Sequence, residues 1–98
     1  MKEYEIVYIV KPDLSEEEHT GKVERVHNLI VENGGEVDEG KDWGKRLLAY
    51  EIKRYSEGRY RMTVFHSPPG SLSDLEGRLN LDEDILRYQI VARPARGA

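Results

Sequence analysis

Cysteine is absent from the 98 residues. Its absence removes disulfides, thiolate nucleophiles, iron–sulfur clusters and cysteine-based zinc sites. Histidine is nearly as scarce, with only His19, His27 and His66. The first two stand eight residues apart on an expected helix, about two turns along and roughly 80° around it, so they do not form the i,i+4 pair that grips one ion. His27 fits a helix position at the core boundary. Long apolar runs are missing too. Ile6-Val7-Tyr8-Ile9-Val10 is flanked by Glu3 and Glu5, unlike a secretory signal, and nothing approaches the ~20 residues of a membrane span. A cytoplasmic protein is expected.

The machinery of catalysis is absent as well. No serine or threonine sits in a pattern that supplies a base, and no carboxylate or histidine is set up for proton transfer. Gly34, Gly35, Gly40 and Gly44 do not spell a phosphate loop or a dinucleotide fingerprint. Glu16-Glu17-Glu18 and Asp82-Glu83-Asp84 lack the twelve-residue spacing of a calcium loop and lie at element boundaries, where acidic residues are common. The sequence therefore predicts no catalytic residue, no metal, no cofactor and no small-molecule substrate.

What is present is charge, unevenly placed. Lys and Arg number 15 against 19 Asp and Glu, a net charge of −4. Residues 1–40 carry 4 basic and 11 acidic side chains, whereas residues 41–61 carry 7 and 3. Residues 62–86 return to 1 and 5, and residues 87–98 hold 3 basic and none acidic. The positive charge of the middle and the carboxyl end forms a candidate footprint for nucleic acid on a negative molecule, the alternative being solvated strands.

The pattern predicts six elements. Tyr4, Ile6, Tyr8 and Val10 alternate with Glu3, Glu5, Val7 and Ile9 in a first strand that stops before Pro12. Ser15 with Glu18 forms a capping box for a helix carrying Val23, Val26, Leu29 and Ile30, ended by Asn33-Gly34-Gly35. Gly21 weakens its first turns. Glu36 to Ile52 exceeds an ordinary strand, with Gly40 and Gly44 as places for a bulge or bend. Ser56-Glu57-Gly58 reads as a turn and Arg59 to His66 as the third strand. Parity leaves open whether Tyr60, Met62 and Val64 or Thr63 and Phe65 of that strand face the helices. Ser67-Pro68-Pro69-Gly70 breaks it, and Ser71 with Asp74 opens a short helix through Leu72, Leu75 and Leu79. The last strand sets Leu86, Tyr88, Ile90 and Ala92 against Arg87, Gln89, Val91 and Arg93, and Pro94 ends it. The order β-α-β-β-α-β is the ferredoxin-like split arrangement, an α+β fold with two helices on one face of a four-stranded antiparallel sheet. Residues 1–93 form one domain and residues 94–98 a short flexible tail. The other sheet face carries Val7, Ile9 and Val91, more apolar surface than a solvated sheet needs. Gly58 to Phe65 is a faint echo of an RNA-recognition motif without its central aromatic.

The segment Trp43-Gly44-Lys45-Arg46-Leu47-Leu48-Ala49-Tyr50-Glu51-Ile52-Lys53, with Tyr4-Glu5, Gly58, Tyr60 and Leu81 to Tyr88, resembles the bacterial small-subunit ribosomal protein S-six family over about Lys2 to Arg93. The resemblance implies a non-catalytic ribonucleoprotein component in the small ribosomal subunit. It implies a heterodimer with ribosomal protein S-eighteen, the pair binding the central domain of small-subunit rRNA. On that reading Lys45 and Arg46 are the leading candidates for RNA or partner contact, followed by Lys2, Arg87 and Arg93. Trp43 is a candidate for stacking or partner contact, and Val7, Ile9 and Val91 for partner contact. The competing reading is a stand-alone binding or regulatory module that self-associates through its sheet.

Overall fold

The computed structural model describes residues 1–93. The chain runs β1 (Lys2–Val10), α1 (Glu16–Glu32), β2 (Glu36–Ile52), β3 (Tyr55–Ser67), a 3-10 turn (Pro69–Ser71), α2 (Leu72–Asn80) and β4 (Ile85–Ala92). The strands form one antiparallel sheet in the order β2-β3-β1-β4, the expected ferredoxin-like split arrangement. The expected stop at Pro94 and the tail 94–98 lie outside the described residues.

Period-two alternation in β1 sorts the whole sheet. Tyr4, Ile6, Tyr8 and Val10 are buried and join Val26, Leu29 and Ile30 of α1, Leu75 and Leu79 of α2, Phe65 and Ile85 in one core. Fully burying each large apolar side chain contributes about 1.5–3 kcal/mol. Pairing then settles the third strand. Phe65 lies opposite Tyr4 and Thr63 opposite Ile6, so these two face the helices. Tyr60, Met62 and Val64 lie opposite Ile9, Val7 and Glu5, on the other face. Tyr4 and Phe65 stack at 5.6 Å between ring centroids.

Helix α1 begins at Ser15, whose hydroxyl accepts from the Glu18 amide at 3.1 Å while the Glu18 carboxylate accepts from the Ser15 amide at 3.0 Å. The helix runs unbroken through Gly21. Lys22 anchors it to the entry of β4 through Asp82 at 2.8 Å and Asp84 at 3.2 Å. Its end is closed by Gly34 at φ +85°, a left-handed conformation that favours glycine. His19, on the inner side, is buried. Burial first, then the Arg59 and Arg61 charges, push its pKa down, so the ring sits there neutral. His27 lies at the core boundary with Nε2 3.4 Å from Thr63 Oγ1.

Three expectations need correction. The β2–β3 turn is not Ser56-Glu57-Gly58 but the two-residue loop Lys53-Arg54, flanked by the pair Ile52 and Tyr55. Both loop residues have positive φ, 50° and 71°, the backbone that matches the twist of a tight hairpin. Asn-Gly is the usual signature of that loop, so Lys-Arg concealed it. Ser71 forms no capping box. The 3-10 turn runs directly into α2 and leaves Ser71 helical, so its hydroxyl donates back to the Pro68 carbonyl at 2.9 Å. In β2 the register shifts at Gly44, as expected, and also between Val37 and Glu39, where Asp38 is the extra residue, and between Leu47 and Ile52, while Gly40 stays paired with Thr63.

Two glycines define opposite outcomes for one substitution. A Cβ on exposed Gly21 meets nothing within 4 Å, whereas one on Gly35 lands 2.7 Å from the His66 carbonyl and 2.9 Å from Ile30 Cγ2. Gly21→Ala is expected to raise stability by about 0.5–1 kcal/mol. Gly35→Ala is expected to lower it by about 1–3 kcal/mol. Urea denaturation of both variants checks the signs.

Candidate nucleic-acid and partner interface

The face of the sheet without helices is built from rungs across β3, β1 and β4. Ile9 stands between Tyr60 and Arg87, Val7 between Met62 and Gln89, and Glu5 between Val64 and Val91. Beyond Tyr60, Gly44 and then Arg46 of β2 continue the same end, Arg46 lying opposite Gly58. Val7, Ile9, Tyr60, Arg87, Tyr88 and Gln89 line a depression of about 130 Å³.

The arginines at this end are held by aromatic rings. The Arg46 guanidinium carbon lies 5.7 Å from the Trp43 ring centroid and 5.9 Å from that of Tyr60. Both are within the ~6 Å at which a ring quadrupole attracts a cation. Arg87 lies 5.8 Å from the Tyr50 ring centroid, and its Nη1 donates to the Tyr50 hydroxyl. Tyr50 is on β2 and Arg87 on β4, at opposite edges of the sheet. Three strand spacings separate the two strands, about 14 Å, so the pair spans the face. Trp43 is 38% exposed and Tyr50 61%.

The structure places the sequence candidates unevenly. Arg46, Arg87, Trp43, Val7 and Ile9 converge at one end of the open face. Ile9 is buried by its own chain, because Gly58 admits it closely and Leu48 packs on the same spot. Lys45 lies opposite Arg59, and Arg59 opposite Val10, so Lys45 takes the helix-bearing side. Lys2 lies opposite Ser67, at the far end of β1. Arg93 is also at that end, with Nε 3.6 Å from Glu3 and 3.9 Å from Glu5. Val91 is exposed on the open face opposite Glu5.

Part of the basic middle segment is consumed internally. Arg59 donates to Asp42 and, at 2.7 Å, to Glu16 of α1, while Arg61 lies 3.5 Å from Asp42. The Arg59 guanidinium holds the Asp42 carboxyl at about 2, below the usual carboxylate range. The sequence pattern marked neither Tyr50 and Tyr60 as backing for the arginines nor Lys53-Arg54 as the loop. Pairing with Ile9 of β1 turns Tyr60 to the open face, and Tyr50 falls in the register break between Leu47 and Ile52, where alternation gives no guide.

Among the described residues no helix is long and apolar enough to cross a membrane. Fold and surface together define a ferredoxin-like α+β protein whose open sheet face carries ring-backed arginines. The profile of the family described as Ribosomal protein S6 matches residues 3–92, and the chain belongs to that family. Two similar curated proteins are the small ribosomal subunit protein bS6 of Caldanaerobacter subterraneus subsp. tengcongensis and that of Thermoanaerobacter pseudethanolicus. Each is 46% identical over 91 residues, covering 93% of this chain and 96% of the relative. The crystal structure of 30S ribosomal protein S6 from Thermotoga maritima superposes with a TM-score of 0.88 at 35% identity, covering 94% of this chain and 87% of that one. A de novo designed protein, Foldit4, shares the fold alone, at 18% identity and a TM-score of 0.50. The chain is thus a non-catalytic structural protein of the small ribosomal subunit that binds ribosomal RNA.

The Asp42 clamp makes a prediction with a definite sign. A carboxyl depressed to about 2 in the folded state, against about 3.9 unfolded, contributes stability that is present above about pH 4 and lost as pH falls through 2. Asp42→Asn is expected to be less stable than the parent at pH 7, with the difference shrinking between pH 4 and 2. Urea midpoints across that pH series measure it.

Proposed function

We propose that this protein, one domain over residues 1–93, docks on the central domain of small-subunit rRNA as a heterodimer with ribosomal protein S-eighteen. On this reading its work is done in the cytoplasm, in the small ribosomal subunit. The observation that carries the proposal is the Arg46 guanidinium seated between Trp43 and Tyr60. A guanidinium offers a planar fork that grips phosphate through two donors, and one already ordered by aromatic faces loses less freedom on binding. Arg87, steadied by Tyr50, adds a second fork on the same end of the face. Lys45 contributes from the helix side, and Lys2 and Arg93 are outlying contacts.

The net charge of −4 supports a joint mode. Asp42, Glu16 and Glu3 already neutralise several of the basic side chains, so a basic partner supplies the rest of the positive surface. Exposed Leu47, Trp43 and Tyr50 on the edge strand β2, together with Val7 and Val91 on the open face, offer that partner apolar contact.

The test is binding to a central-domain rRNA fragment, with and without S-eighteen, across a salt series. Tight, salt-sensitive binding is expected only with both proteins present. Arg46→Ala is expected to weaken it and to flatten the slope of log K against log salt by roughly one contact, about 0.7–0.9. An unchanged slope rejects Arg46 as a phosphate contact. No RNA or partner binding at any salt, with self-association in sedimentation, establishes a self-pairing module instead.

A further inference from the structure

The open face ends, away from the arginines, in a patch of opposite sign. Glu3 of β1 lies directly across from His66 of β3, and His66 across from Glu36 of β2. The β2 bulge inserts Asp38 next to this rung. Asp38 stands two residues beyond Glu36 and so on the same open face, where its Oδ2 reaches His66 Nδ1 at 2.6 Å, and the bulge turns Glu39 to that face as well. On the other side of the ring, His66 Nε2 is 3.7 Å from Glu3 Oε1. One donor atom from each of Glu3, Asp38 and His66 lies within 4.8 Å of the other two. The three residues, with Glu39 and Val64, line an open depression of about 420 Å³.

We propose that Glu3, Asp38 and His66 form a binding site for a divalent transition-metal ion of the zinc type. One imidazole and two carboxylates are a donor set that zinc takes, leaving a fourth position for water or for Glu39. Zinc–ligand distances of about 2.0–2.2 Å put tetrahedral donors roughly 3.2–3.6 Å apart. Asp38 and Glu3 approach different ring nitrogens of His66, and with one donor atom from each residue the three lie within 4.8 Å of one another, so turning the ring and the two carboxylates draws them onto one ion without moving the strands. The ion takes a ring-nitrogen lone pair and replaces the direct His66–Asp38 contact. The ligands ride on three adjacent strands in hydrogen-bonded register, which presets their positions. Two carboxylates within reach of one imidazole also leave a negative balance that a dication cancels. Among the described residues Arg93 opposes the ion, with Nε 3.6 Å from Glu3 Oε2, and it weakens the site. This site lies at the opposite end of the face from Arg46 and does not rest on the RNA-docking reading.

The test is calorimetric titration of zinc chloride into the full chain at pH 7, in a non-chelating buffer without RNA. One ion per chain is expected, with at least tenfold weaker binding in His66→Ala and several-fold weaker binding in Asp38→Asn. Arg93→Gln is expected to tighten it, and His27→Gln to leave it unchanged. Far-UV circular dichroism checks that His66→Ala is folded, and the near-isosteric Asp38→Asn keeps the test decisive if it is not. Cobalt(II) gives a second readout, a visible absorption present in the parent and lost in His66→Ala. No stoichiometric binding, or affinity that survives both His66→Ala and Asp38→Asn, overturns the proposal and leaves an ion-paired histidine.

Discussion

Pairing of β1 with a neighbour on each side is the constraint from which the rest of the molecule follows. As a central strand it has no freedom of register. A slip of one residue would turn Tyr4, Ile6, Tyr8 and Val10 to the open face and carry Glu3 and Glu5 into the core. With that register held, Phe65 and Thr63 must face the helices and Tyr60 must face away. Arg87 must stand beside Ile9. The two helices then have one place to bury Val26, Leu29, Ile30, Leu75 and Leu79, and both lie on the same side.

The open face consequently has two unlike ends. At one, Trp43, Arg46, Tyr60, Tyr50 and Arg87 assemble from three strands into cations backed by rings. At the other, Glu3, Asp38, Glu39 and His66 gather around a polar hollow. Glu3 and Ile9 are six steps apart along β1, about 20 Å, so the two fields are distinct at physiological ionic strength. A molecule of net charge −4 can therefore present a positive corner to a polyanion while keeping its acidic surface turned elsewhere.

Charge counting along the chain overstates that corner. The middle segment carries 7 basic residues against 3 acidic ones, yet Arg59 and Arg61 turn toward α1 and are met by Asp42 and Glu16. Lys45 and Arg46 are neighbours in sequence and face opposite sides of the sheet, because a strand alternates. The Lys53-Arg54 loop holds two residues with side chains at positive φ where glycine or asparagine would be easier. Two positive charges are kept at that tip despite the conformational cost.

Element order, the alternation of β1 and the Ser15–Glu18 cap were legible in the sequence, because each is a local pattern with a local cause. So was the family, carried by a long contiguous segment and not by any single residue. Tertiary structure alone decided the parity of β3, the true position of the hairpin loop and the sorting of the basic residues into one corner and several outliers. Those depend on cross-strand register, which is set by the packing of distant residues, and on bulges whose extra residue has no signature of its own. The Glu3–Asp38–His66 cluster is the clearest case. Its members are 35 and 28 residues apart in the chain, and only the pairing of His66 in β3 with Glu3 of β1 and Glu36 of β2 brings them within reach of one another.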